Sequence, residues 1–230
     1  RMQLLLRENL ASLGRMAAGI AHELGNPLTG ISSLVQLVKR RRRDDSFIVE
    51  QLNLVHDEIN RLTRLTHQMV DLARPEDTGK KNFDIMPSLN KAFQIARLDP
   101  KLRKRIVKMP GDAPPVLVEA NEDAVVQIVM NLLFNAADFT DENGLITVEV
   151  KHGADAMVEI RVTDNGSGIP EADQPHIFDP FFSGKKSGEG AGLGLSVSHS
   201  LARSFHGSLE LEKSDPGGTT FLLKLPCKGT

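Results

Sequence analysis

The stretch "NEDAVVQIVMNLLFNAADFT", residues 121–140, decides the fold class. Asn121 is placed to cap a helix, and Glu122 and Asp123 put negative charge in its first turn, where it opposes the positive helix end. Downstream, "LITVEV" (145–150), "MVEIRVTD" (157–164), "SLELEK" (208–213) and "TTFLLKLP" (219–226) alternate like strands. Helices interleaved with strands, ending in an antiparallel-looking pair, predict an α+β sandwich with one layer of each.

Three places in this region carry chemistry. Asn131 and Asn135 stand at i and i+4, on one face of an otherwise apolar helix. Two stacked amides there need a partner, and a hydrated Mg2+ carrying phosphates suits their oxygens. "DNGSGIP" (164–170) closes a strand on Asp164, followed by Gly166 and Gly168, where side chains would obstruct a ligand lying along the backbone. A turn alone also accounts for that run. "GEGAGLGLS" (188–196) offers Gly188, Gly190, Gly192 and Gly194 ahead of a helix through "LSVSHSLARSFHG" (195–207), and amides at such a start cradle phosphate oxygens. The spacing matches neither GxGxxG nor GxxxxGK, so the dinucleotide fold and the P-loop lack support.

Working upstream, "PEDTGKKN" (75–82) has the proline, glycine and charge of a linker. Before it, Leu6, Leu10, Leu13, Ala17, Ile20, Leu24, Pro27, Ile31, Leu34 and Val38 recur in steps of four and three, as do Leu52, Val55, Ile59, Leu62, Thr66, Met69 and Ala73. That repeat predicts two seam-buried helices, and "RRRRDDSF" (40–47) reads as the charged turn between them. A lone hairpin has little core. Met16, Leu28, Val35, Leu65 and Leu72 widen the stripe, so pairing of two hairpins into a dimeric four-helix bundle is the economical way to bury it.

On the first helix, "GIAHELGNPLTG" (19–30) sets His22 beside Glu23. His22 lies two residues from both Ile20 and Leu24, about 200° around the axis, so it points away from the seam. Pro27 crowds the carbonyl of Glu23 and loosens the helix there. "HELGN" has no second histidine at i+4 and is not the zinc motif HExxH. An ordinary surface histidine and a histidine held out to react both remain compatible with this placement.

Composition narrows the classes. The 230 residues carry a net charge of −2, so no broad basic surface is implied and nucleic acid is not an expected partner. The run "KRRRR" (39–43) reads as a solvated hairpin tip. The single cysteine, Cys227, excludes an internal disulfide and a multi-cysteine zinc site. No apolar run reaches 18 residues, so no membrane contact is expected of these residues. The chain opens inside a periodic segment, which reads as a piece of something longer, with an upstream sensor or membrane part.

Together these features resemble the catalytic core of a two-component sensor histidine kinase. "HELGNPL" is similar to the family's H box, "NLLFNAADF" to its N box, "DNGSGI" to the first glycine box, "FDPFF" to the F box and "GLGLS" to the second glycine box. The resemblance implies a dimerisation and phosphotransfer hairpin (1–74), a linker (75–82) and a Bergerat-fold α/β-sandwich ATP-binding domain (83–230). It implies that His22 is phosphorylated from ATP, with Glu23 as acid/base neighbour, and that Asn26 serves dephosphorylation of a partner response-regulator receiver. It further implies that Asn131 and Asn135 frame Mg2+, that Asp164 accepts the adenine amino group, that Gly166 and Gly168 line the nucleotide, and that amides of Gly188, Gly190, Gly192, Leu193 and Gly194 meet the phosphates. Lys185 and Lys186 fall in the lid and offset phosphate charge. Asp138 departs from the lysine or arginine often found three after the second N-box asparagine, so one phosphate contact is absent or supplied by those lysines. A homodimer and a cytoplasmic location follow from the same resemblance. Its rivals are another Bergerat ATPase that drives a conformational cycle, and an inactive scaffold.

Overall fold

The computed structural model describes residues 28, 30–42, 45–55, 59, 79–111, 114–184 and 192–227. The chain divides into two compact units, residues 1–74 and 75–230. No helix among the described residues is long and apolar enough to cross a membrane.

In the first unit, helix α1 covers 30–41 and helix α2 covers 46–55. Asp45 caps α2: its carboxylate accepts from the Ile48 amide at 3.1 Å. Lys39 donates to the Asn53 side chain, which ties α1 to α2 across the turn. Val35 and Ile59 are buried, whereas Ile31, Leu34, Val38 and Val55 are exposed. This differs from the expected seam. Val35, which only widened the stripe in the heptad reading, is covered, and most described seam positions are left uncovered in a single chain. Leu52 is half-buried, and the other seam positions lie outside the described residues.

The second unit is the expected sandwich. Its elements are β1 (Lys81–Asp84), α3 (Ile85–Ala96), α4 (Pro100–Arg103), β2 (Ile106–Lys108), β3 (Leu117–Ala120), α5 (Glu122–Phe139), β4 (Leu145–His152), β5 (Met157–Asp164), a 3-10 turn (Gln174–His176), α6 (Gly194–Ser204), β6 (Ser208–Asp215) and β7 (Gly218–Pro226). The main sheet runs β2-β4-β5-β7-β6, and β1 pairs with β3 in a separate two-stranded sheet. Only the β2 to β4 pairing in the main sheet is parallel. Strand β1 starts at Lys81, so ordered structure claims the last two positions of the stretch read as a linker.

Alternation explains the layers. Val158, Ile160 and Val162 of β5, Ile146 and Val148 of β4 and Leu223 and Leu225 of β7 are buried, as are Ile128, Leu132 and Leu133 of α5 and Val197 of α6. Each such aliphatic side chain contributes about 1.5–3 kcal/mol by leaving water. The intervening β5 positions bear charge: the Arg161 guanidinium reaches both Glu212 oxygens and meets Glu159 at 2.8 Å. At its start α5 matches the sequence reading, since the Asn121 side chain accepts from the Ala124 amide at 3.0 Å.

Helix α6 stops before the end of "LSVSHSLARSFHG". Gly207 donates to the Ala202 carbonyl and His206 to that of Arg203, a Schellman closure with His206 in the left-handed region at φ 63°.

Candidate functional site

The site is assembled at one end of the sheet, where β5, α5 and α6 terminate or begin. Asp164, the last residue of β5, is buried. Its carboxylate accepts the Gly166 amide at 2.8 Å, and the Thr219 amide donates to it from the adjacent β7. Burial pushes its pKa up, and the two amide partners oppose that shift without cancelling it. The result is a carboxyl whose remaining acceptor capacity lies in a poorly hydrated place.

The glycines after Asp164 have a different reason from the one expected. A Cβ on Gly166 would stand 2.3 Å from the Phe139 carbonyl oxygen, and one on Gly168, at φ 72°, would stand 2.0 Å from that of Asp215. The chain's own backbone, from the end of α5 and the β6–β7 turn, fills the position that a side chain would take at each glycine.

The two asparagines of α5 divide their work. Asn131 donates from its side chain to the Ser198 hydroxyl of α6 at 2.9 Å. A Cβ on Gly194 would meet Asn131 Oδ1 at 2.4 Å, so α6 begins directly against this amide. Asn135 is half-exposed, on the same face one turn on, and makes no hydrogen bond among the described residues. The Asn131 side-chain nitrogen is committed to holding α5 to α6, a bond that does not use its oxygen.

Helix α6 starts at Gly194 after Leu193, which is buried and supplies no side-chain cap. Among the described residues no side chain caps its first-turn amides, which leaves a positive helix end toward the asparagine face. Gly192 is left-handed, and its Cβ position is filled by the backbone of Phe181 and Phe182. Beneath this junction Phe178 stacks on His199 at 4.9 Å between ring centres and meets Phe221 edge-on. Burial, and secondarily Arg203, holds the His199 pKa below its ordinary value. Phe178 and Phe182 are half-buried, whereas Phe181 is exposed with φ 67°.

His22, Glu23, Asn26, Lys185, Lys186, Gly188 and Gly190 lie outside the described residues. Two partners of the site residues escaped sequence reading: Thr219 on Asp164 and Ser198 on Asn131. Each is distant in sequence from its partner, and no local pattern marks it.

A sandwich with a buried strand-end carboxyl, an amide-lined helix and an uncapped helix start belongs to the class of Bergerat-type nucleotide-binding domains. Comparison with known proteins agrees. Residues 120–229 match the family model described as histidine kinase-, DNA gyrase B-, and HSP90-like ATPase, and residues 12–78 match the His Kinase A (phospho-acceptor) domain. Sensor histidine kinase ZraS of Klebsiella oxytoca is 30% identical over 225 residues, covering 97% of this chain and 48% of that protein. Histidine kinase ThkA, solved in complex with response regulator protein TrrA, has a TM-score of 0.65 and 26% identity over 96% of this chain and 64% of that one. Full-length ShkA, solved with AMPPNP, shares the fold at a TM-score of 0.72 and 21% identity over 95% of this chain and 47% of that one. The chain belongs to the two-component sensor histidine kinases, and it spans about half the length of the curated relatives it matches.

Proposed function

We propose that the chain is an ATP-dependent protein-histidine autokinase that phosphorylates His22 and passes the phosphoryl group to an aspartate of a response-regulator receiver. The observation that carries the reading is the convergence of the Asp164 carboxyl, the unengaged Asn135 amide and the uncapped start of α6. Asp164 accepts the adenine amino group. The α6 amides and the glycines before them, with Lys185 and Lys186, bind the phosphates. Asn135 offers a neutral oxygen of the kind Mg2+ takes, Asn131 stands beside it, and the ion would supply positive charge against the triphosphate. In the reaction, a neutral His22 nitrogen bonds to the γ-phosphorus while the bond to the bridging oxygen breaks and ADP leaves. Glu23 orients the ring and takes its proton. Alignment and charge neutralisation provide most of the rate in such transfers.

The off-seam phase of His22 in the sequence repeat suits a residue that meets ATP first and then a separate receiver. Uncovered Ile31, Leu34 and Val38 suit burial against a second hairpin, hence a homodimer. Asn26, four positions after His22 in the sequence, has the spacing of a shared helix face and positions water against an aspartyl phosphate, which makes the protein a phosphatase of its regulator as well. These activities belong in the cytoplasm, where ATP and receiver are found.

Incubation with labelled ATP and Mg2+ tests the kinase reading: the wild type takes up acid-labile phosphate and His22→Gln does not. Equal labelling of both sinks the assignment, and absence of acid-labile phosphate favours an ATPase cycle instead. Asn26→Ala slows loss of phosphate from a pre-phosphorylated receiver while His22 labelling persists; equal rates remove the phosphatase role.

A further inference from the structure

Ser198 sits on the buried face of α6, 2% exposed, and a hydroxyl placed there needs a partner. Among the described residues its hydrogen bond is the one it accepts from the Asn131 side-chain nitrogen at 2.9 Å. Gly194 and Ser198 stand at i and i+4, so both turn the same side of α6 to that amide. Asn131 Oδ1 is the atom nearest the point where a Cβ on Gly194 would stand. The oxygen therefore lies against the first residue of the helix, while the nitrogen is held one turn further in.

The two ends of an amide are not equivalent here. A hydroxyl alone does not choose between them, since it accepts from the nitrogen or donates to the oxygen equally well. The start of α6 does choose: its first amides carry the positive end of the helix, which favours the oxygen beside it and disfavours two further N–H donors. Ser198 thus fixes the plane of the amide, and the helix end fixes which atom faces it. The oxygen so placed accepts no hydrogen bond among the described residues, and neither does the Asn135 side chain one turn along α5. Two neutral oxygens on one helix face are a donor set that Mg2+ takes.

We propose that Ser198 is a positioning residue for the metal side of the nucleotide site, holding the Asn131 amide with its oxygen turned to the start of α6 for the Mg2+ that accompanies the triphosphate. Ser198 itself touches neither nucleotide nor ion. This rests on the nucleotide reading above. It deepens that reading by making the ligand role of Asn131 depend on a residue outside the asparagine and glycine motifs.

Titration calorimetry on the full chain compares ATP with Mg2+ against ATP in excess EDTA. Ser198→Ala is expected to weaken Mg-ATP by roughly three- to tenfold, the size of one neutral hydrogen bond, and to leave metal-free ATP within about twofold of wild type. Alanine suits a helix interior, and the freed nitrogen belongs to a half-exposed side chain that water reaches, so the variant is expected to fold. A role confined to packing α6 on α5 would move both forms of ATP together or neither. With Asn131→Ala there is no amide left to orient, so adding Ser198→Ala is expected to change Mg-ATP affinity no further. The proposal is overturned if Ser198→Ala weakens both forms equally or neither, or if its effect persists undiminished beside Asn131→Ala. Wild type that binds ATP equally well with and without Mg2+ overturns this inference and leaves the nucleotide reading standing. Wild type that binds neither form overturns both.

Discussion

The Asn131 side chain and the Ser198 hydroxyl, 67 positions apart in sequence, are joined at 2.9 Å across α5 and α6. This bond makes Asn131 a structural clamp, while the Asn135 side chain makes no hydrogen bond among the described residues. Asn131→Ala removes the clamp and strands a Ser198 hydroxyl that is 2% exposed, so a loss of about 1–3 kcal/mol is expected in denaturant unfolding. Asn135→Ala removes no hydrogen bond among the described residues and is expected to stay within about 0.5 kcal/mol of wild type while ATP binding falls.

Asp164→Asn separates affinity from stability. An amide is a weaker acceptor for the adenine amino group, and a charge-assisted contact of about 1.5–3 kcal/mol is reduced. Because burial raises the folded-state pKa of Asp164, the folded protein holds this proton more tightly than the unfolded chain. The contribution of Asp164 to stability therefore falls as pH rises from the ordinary carboxyl range through the raised folded value, and it is recovered on acidification. The melting temperature of wild type relative to Asp164→Asn is expected to increase as pH is lowered through that window, while wild-type ATP affinity declines. Parallel melting curves at every pH would show that the carboxyl is not the titrating group.

His206 closes α6 in a left-handed conformation that glycine adopts without Cβ strain. The side chain is exposed, so little packing is at stake. His206→Gly is expected to stabilise the second unit by about 1 kcal/mol, read as a higher urea midpoint with unchanged slope.

The β4–β5 hairpin offers a similar gain. Asp155 and Ala156 both have positive φ, 55° and 53°, as a tight primed turn demands. Ala156 is exposed and its methyl group works against that geometry. Ala156→Gly is expected to add roughly 0.5–1 kcal/mol by the same measurement, with ATP binding unaffected because the turn lies at the opposite end of β5 from Asp164.

Elements with long alternation or clear caps were legible before any coordinates. Strand β5 matches "MVEIRVTD" end to end, and α5 begins at the residue after its predicted cap. Strand β2 is three residues long, too short to show a period, and β1 was absorbed by a lysine-rich stretch that looked like linker. That Asp164 closes a strand and that Asn131 and Asn135 share one helix face was readable from alternation and spacing. The reason for Gly166 and Gly168 was not, since the atoms that forbid a side chain belong to Phe139 and Asp215, brought there only by the fold.

The meeting of Gly192 with Phe181 and Phe182 has an engineering consequence. The two flanks of residues 185–191 are held against each other by the domain itself, so the length of chain between them is a nearly free variable. Each doubling of that length adds only about 0.6 kcal/mol of closure entropy. Insertions placed between Ser183 and Gly192 are therefore expected to leave the unfolding midpoint almost untouched and to register in nucleotide kinetics instead. That makes this junction the natural port for grafting a reporter or a second recognition sequence onto the domain.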